Sequence, residues 1–355
     1  MNRRIVGIDL ARSLAVIGMI IVNFKVVFGQ NGSCIIQNIT ALFEGKAAAT
    51  FVVLAGVGIA LISNSANNHE KYLKIKSGIY KRAVFLFVTG LSYIIIWPAD
   101  ILHFYGFYML ISIWVLKFKR NSILFFSIFL IFSYPFLMLI IDYSQGWDFN
   151  MLEYSDLWTI EGFIRNLFYN GFHPVIPWAG FMLIGVWYGK MDLHDDKIVK
   201  KSLIISLLVF VLLQLISFIT VDFLSNGNLN TKMELNSILG TEPMPPLPVY
   251  MISGSSFAIL IVSFCILVAK RFHKNIIIDA FQKMGQMALT FYVAHVVIGM
   301  GLVEIIYPEM EGEFNITFSF CYALIFSFLC IIFAKYWSKK QKRGPLELIM
   351  RFFTG

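Results

Sequence analysis

Asp100 and His103 stand three residues apart in ADILHFYGFYML, at the mouth of an apolar run with the character of a membrane helix. At i and i+3 on a helix, two side chains share a face. A carboxylate that takes the proton of one imidazole nitrogen leaves the other nitrogen as a general base, able to deprotonate a hydroxyl or an amine. The same residues also suit a plainer role, an aspartate capping a helix start with an amphipathic histidine beside it. A charge within a bilayer helix costs on the order of 2.5 to 3.5 kcal/mol on insertion scales, so either role calls for a partner or a cavity.

The elements that must position this pair are helices in a membrane. Of 355 residues, 58% are hydrophobic, 14% are charged and 35 are phenylalanine. The mean hydropathy is +0.74, too high for a soluble domain of this length. Apolar runs at 10–28, 47–63, 83–97, 101–116, 121–141, 175–189, 202–221, 250–269, 285–306 and 315–334 are each near the length that about 30 Å of hydrocarbon requires. The expected fold is all-α: one transmembrane domain over 1–355, a bundle of about ten helices, closed by a short interfacial helix at about 344–353. Arg3 and Arg4 precede the first run, but VNFKVVFG interrupts it and no small-residue cleavage site follows, so an uncleaved first helix is expected.

Charge orients the bundle. The segments of one side hold 24 of the 29 lysines and arginines, which by the positive-inside rule makes both termini cytoplasmic. The opposite loops carry Asp142, Asp148, Glu153, Asp156 and Glu161, then Glu309, Glu311 and Glu313. The net charge of +8 thus reflects topology, and no nucleic-acid partner is implied. The lipid bilayer is the expected partner, with a homodimer open. Three of the four cysteines lie in apolar runs and Cys34 in an outer loop, so neither a disulfide framework nor a metal site is implied.

Topology sorts the remaining polar residues by depth. Asp100 and His103 fall about 0 to 5 Å inside the outer boundary at 1.5 Å per residue. At the same level Asn23 and Lys25 close the first helix, Glu44 and Lys46 open the second in FEGKAAATF, and GFHPVIPW places His173 and Trp178 at the start of the sixth. Each alone suits an interface anchor; five elements ending in polar residues on one side suit a shared cavity. His295 lies roughly 15 Å deep, where an ionisable residue is a functional candidate and a neutral, hydrogen-bonded histidine is the alternative. At the inner edge Asp9 and Arg12, also i and i+3, either pair with each other or free Arg12 for an anion. The basic stretch from Lys71 to Arg82, including Lys81, suits anionic lipid or the phosphates of a nucleotide-like donor, although no Gly-rich phosphate motif is present.

GIDLARSLAVIGMIIVNF, LFEGKAAATFVVLAGVGIAL, ADILHFYGFYML, FHPVIPWAGFMLIGVWYGK, MGQMALTFYVAHVVIG and RGPLELIMRFF together, in this order, resemble the YeiB-like family of bacterial membrane proteins. That family is similar to a larger group of transmembrane acyltransferases that includes heparan-alpha-glucosaminide N-acetyltransferase. The resemblance implies a multi-pass protein of the bacterial cytoplasmic membrane. It also implies that acetyl-CoA or another acyl-CoA binds from the cytosol and that a histidine acts at the outer side. One departure is evident: residues 25–45, where that enzyme has its catalytic histidine, contain none here.

Two functions follow as expectations. In an acyltransferase acting on an envelope glycan, a lipid or a small molecule, His103 oriented by Asp100 would be the base, with His173 and His295 as further candidates. Arg12, Asn23, Lys81 and Arg82 would serve the acyl-CoA, and Glu44, Lys46 and Trp178 the acceptor. In a transporter or flippase of an anionic or lipid-linked metabolite, His295 and Glu304 would be coupling groups.

Overall fold

The computed structural model describes residues 4–149, 151–272, 274–308, 310 and 312–355. Arg3, Glu309 and Glu311 lie outside the described residues. Lipid offers no partner for backbone N–H and C=O groups, so apolar runs close their hydrogen bonds internally and become helices. The chain is all-α and polytopic, with seven helical segments long and apolar enough to cross a membrane among the described residues. In order it runs α1 (Val6–Phe28), α2 (Cys34–Ala41), α3 (Lys46–Asn64), α4 (His69–Tyr93), α5 (Leu102–Val115) and α6 (Arg120–Met138). A cap follows, with the two-residue strands β1 (Trp147–Asp148) and β2 (Glu153–Tyr154) paired antiparallel, α7 (Ile160–Arg165), and a π-helical turn over Asn166–Asn170. Then come α8 (Val175–Gly189), α9 (Asp196–Ser225), α10 (Leu229–Leu239) and α11 (Pro248–Arg271). The last elements are α12 (Ile276–Gly285), α13 (Ala288–Ala294), a second π turn (His295–Met300), α14 (Gly301–Ile306), α15 (Ile316–Trp337) and α16 (Pro345–Thr354).

Three features differ from the sequence reading. The run at 285–306 is not one continuous α-helix: it breaks at Gln286 and Met287 and widens into the π turn at His295. Such turns insert an extra residue per turn and are frequent at functional sites. Residues before Lys46 form a separate short helix, α2, which hydrophobicity alone does not distinguish from loop. The link between α4 and α5 is eight residues, 94–101, longer than the Pro98 to Asp100 turn expected, because backbone turns at Ile94 to Ile96 end α4 early.

Small residues let the helices close. A Cβ at Gly185 of α8 would collide with the Val53 carbonyl of α3, and one at Gly56 with the Met182 carbonyl, so AGVGIA at 55–60 and the glycines of WAGFMLIGVWYG pack against each other. On α4, a Cβ at Gly90 would collide with the His103 backbone nitrogen and lie 2.8 Å from Asp100 Oδ2. The α4–α5 hairpin therefore holds the Asp100–His103 turn by backbone contact. Gly90→Ala is expected to destabilise by about 1 to 3 kcal/mol through overpacking. Gly78→Ala on the same helix, where nothing lies within 4 Å of the added methyl, is expected to be neutral or slightly stabilising. Unfolding midpoints of the two variants in detergent check this contrast.

Candidate functional site

Asp100 precedes α5 and His103 sits in its first turn. Asp100 is fully buried and His103 is 1% exposed, so both side chains are enclosed by the protein. The contacts that the two alternatives call for occur together. Asp100 Oδ2 accepts from the His103 backbone N–H at 3.2 Å, a helix-capping contact, and also contacts His103 Nδ1 at 3.1 Å. With Nδ1–H donating to the carboxylate, the lone pair falls on Nε2.

The other carboxylate oxygen is taken by a residue the sequence reading passed over. Tyr292 of α13 donates its hydroxyl to Asp100 Oδ1 at 3.1 Å and accepts from the Ile101 N–H at 3.2 Å. Three residues on, His295 directs Nδ1 to the Tyr292 carbonyl, which only accepts, so the proton sits on Nδ1. Nε2 then accepts from the Asn23 side-chain amide at 2.9 Å. His103, Asp100, Tyr292, His295 and Asn23 thus form one buried polar chain joining α5, α13 and α1. Both nitrogens of His295 are engaged, which suits a positioning role and leaves no free lone pair. The placement of Asn23 is with this chain and not with a cavity.

Outside the Asp100–His103 pair lies a second group. The π turn at Asn166–Asn170 leads into His173, whose carbonyl accepts from the Tyr108 hydroxyl and whose ring meets Trp178 edge-on, with centroids 4.6 Å apart. His173 Nδ1 and Trp178 Nε1 are both buried without a hydrogen-bond partner among the described residues. Burial first, and the neighbouring His103 second, push the His173 imidazole down to about 3, so it is neutral across the physiological range. Trp178 packs on Tyr250, whose hydroxyl donates to the Gly45 carbonyl at 3.0 Å, docking the FEGK turn over the group. Within that turn Glu44 pairs with Lys25, and Lys46 is 8% exposed, in the electrostatic range of Glu44 and Glu242. The Glu242 carboxyl, in the loop between α10 and α11, is raised above its ordinary range by burial and by Glu44.

Near Asp100, on the side away from His173, opens a cavity of about 260 Å³ lined by Arg12, Arg82, Phe51, Tyr105, Leu102 and Glu347, among others. Two lining residues adjoin the polar chain: Leu102 is the residue before His103, and Phe51 stacks on Tyr292 with ring centroids 6.3 Å apart. Arg12 Nη1 donates to Asp9 at 3.1 Å while its side chain still lines the cavity. Asp9, 3% exposed, is further held by Arg4 at 2.6 and 3.0 Å. Arg82 Nε is buried with no partner among the described residues. Lys81, one residue away, is exposed and is not among the cavity-lining residues, since neighbours on a helix point about 100° apart.

Glu347, also absent from the sequence reading, fixes the helix that carries Tyr292. Its Oε1 accepts from the Leu289 and Thr290 N–H groups at 2.8 and 3.2 Å, and Oε2 accepts from the Thr290 hydroxyl at 2.5 Å. These are orphan donors of the first turn of α13, satisfied by a carboxylate where the helix dipole favours one. Two motifs far apart in sequence, MALT and GPLE, are therefore the two halves of one cap. Burial raises the Glu347 carboxyl above its ordinary range. Glu347→Ala is expected to cost about 1 to 3 kcal/mol, read as a lower unfolding midpoint, with hydrogen exchange of the Leu289 and Thr290 amides faster than in the parent.

Residues 4–220 match the family model described as heparan-alpha-glucosaminide N-acetyltransferase, catalytic. Residues 189–355 match that described as protein of unknown function (DUF418). No curated protein matches the chain.

Proposed function

The chain belongs to the transmembrane acyltransferase-like family of the heparan-alpha-glucosaminide N-acetyltransferase catalytic region, with the YeiB-like DUF418 family matched over its C-terminal part; on that premise we propose that it moves an acyl group from a cytosolic acyl-CoA to an acceptor at the outer face. The observation that carries this reading is the cavity with Arg12, Arg82 and the residue before His103 at its wall.

The residues fit such a donor. Two guanidiniums, one with an orphaned buried Nε, suit phosphate oxygens, which accept the planar fork of arginine donors. The apolar wall formed by Phe51, Leu102 and their neighbours suits an acyl chain. The donor supplies an activated thioester carbonyl. His103 Nε2 would take the proton of the acceptor hydroxyl or amine and later return it to the departing sulfur. Asp100 holds the imidazole in the tautomer this needs, and Tyr292 holds Asp100. His173 and Trp178, with free polar atoms beside His103, suit the hydroxyl or amine face of an acceptor, while Glu44, Lys46 and Glu242 rim the approach. An orientation with both termini in the cytosol of a bacterial cell, about ten crossings and an outer acceptor belongs to this proposal.

The transporter reading draws support from one feature, the interrupted segment α13–π–α14, since broken helices with freed backbone groups line many transport sites. Substrate flux in proteoliposomes without any acyl-CoA would favour it.

With purified protein and radiolabelled acetyl-CoA, His103→Ala is expected to lower transfer by about 10²- to 10⁴-fold with the unfolding midpoint retained. Full transfer in that variant removes His103 from the mechanism. Arg82→Gln is expected to raise the KM for acetyl-CoA by about 10- to 100-fold with kcat little changed, the signature of a lost charged contact to donor phosphate. Steady-state kinetics over donor concentration separates the two effects.

A further inference from the structure

A second crevice, remote from the polar chain, opens between the inner ends of α6, α8 and α9 and the middle of α11. It encloses about 390 Å³ and is lined at one end by Arg120 and Lys201 and along its length by Trp187, Ile205, Val209 and Ile259. Arg120 is the first residue of α6 and Lys201 lies in the second turn of α9, so both cations stand at the same membrane boundary. Both are exposed, and neither makes a hydrogen bond or ion pair among the described residues. From Lys201 to Val209 the crevice descends about 12 Å at 1.5 Å per residue, close to the half-thickness of a bilayer of about 30 Å. Its wall changes with depth: the cations at the boundary with the half-buried Trp187 and the Ser202 hydroxyl beside them, then Ile205, Val209 and Ile259, the Ser206 hydroxyl among these donating to the Leu203 carbonyl at 3.1 Å.

We infer that this crevice is a binding site for one anionic phospholipid of the leaflet on the basic side. The charge complementarity singles out that occupant. Two unpaired cations meet a headgroup phosphate, the Ser202 hydroxyl lies at the level of the glycerol esters, and Ile205, Val209 and Ile259 receive an acyl chain over the depth of a single leaflet. Basic pockets between transmembrane helices at the boundary facing anionic lipid recognise headgroups in this way. The site shares no lining residue with the cavity of Arg12 and Arg82, so it stands whether or not the acyltransferase reading does.

The test uses the purified full-length chain, stripped of lipid in detergent. Phosphatidylglycerol is expected to raise the unfolding midpoint by several degrees more than phosphatidylcholine of the same chains, and native mass spectrometry to retain one phosphatidylglycerol per chain. Arg120→Gln with Lys201→Gln is expected to weaken retention about thirtyfold and erase the difference between the lipids, since one basic residue facing an anionic lipid surface is worth about fivefold. Both positions are exposed and tolerate the change. Ile205→Trp, which crosses the chain path and leaves both cations intact, is expected to lose the retained lipid as well. Equal stabilisation by the two lipids, unchanged retention in the double variant, or a full shift from glycerol phosphate alone would each overturn the assignment.

Discussion

A carboxylate without solvent is the constraint around which this molecule is arranged. Asp100 is fully buried, and an isolated ion in a low-dielectric interior is penalised by several kcal/mol, so its oxygens must be saturated by donors of fixed position. Those donors come from different parts of the chain: the His103 ring and backbone N–H from α5, and the Tyr292 hydroxyl from α13. Each donor is then held in turn. Gly90 lets α4 press on the turn, the Ile101 N–H occupies the other side of the Tyr292 oxygen, and Glu347 seals the start of the helix on which Tyr292 rides. The chemistry proposed for His103 uses the same hydrogen bond that makes the burial of Asp100 tolerable.

Much of this was legible in sequence where a local spacing carries it. Asp100 and His103 announce themselves at i and i+3 in an otherwise apolar run, and His295 stands out as an ionisable residue within an apolar run of its own. Long apolar runs likewise give the all-α polytopic class. What could not be read is convergence. Tyr292 is one of 15 tyrosines in a chain with 35 phenylalanines, and nothing in its neighbourhood marks it as the second partner of Asp100. Arg12 and Arg82 are 70 positions apart and share a cavity, whereas Lys81, adjacent to Arg82, turns away from it. Charge counts treat the two neighbours alike; helical geometry does not.

The histidines illustrate the same division. Sequence assigns them one chemistry, but their hydrogen bonds separate them. His295 is saturated on both nitrogens, His173 is buried with Nδ1 unpartnered, and His103 alone carries a carboxylate on one nitrogen. Two of the three are delivered beside π turns, where the extra residue re-aims side chains that a regular helix would hold on another face.

The cap on α13 also has a temporal side. Glu347 is made nearly sixty residues after Leu289 and Thr290, the groups it satisfies, so during synthesis this first turn waits with open backbone donors while α14 and α15 are still being produced. Until Glu347 arrives, Tyr292 rests on a helix with an unsealed start, and Asp100 lacks a secure second partner. Maturation of the buried centre is thereby tied to a short helix that follows it in the chain by nearly sixty residues, so that α13 is sealed only after α15 has been made.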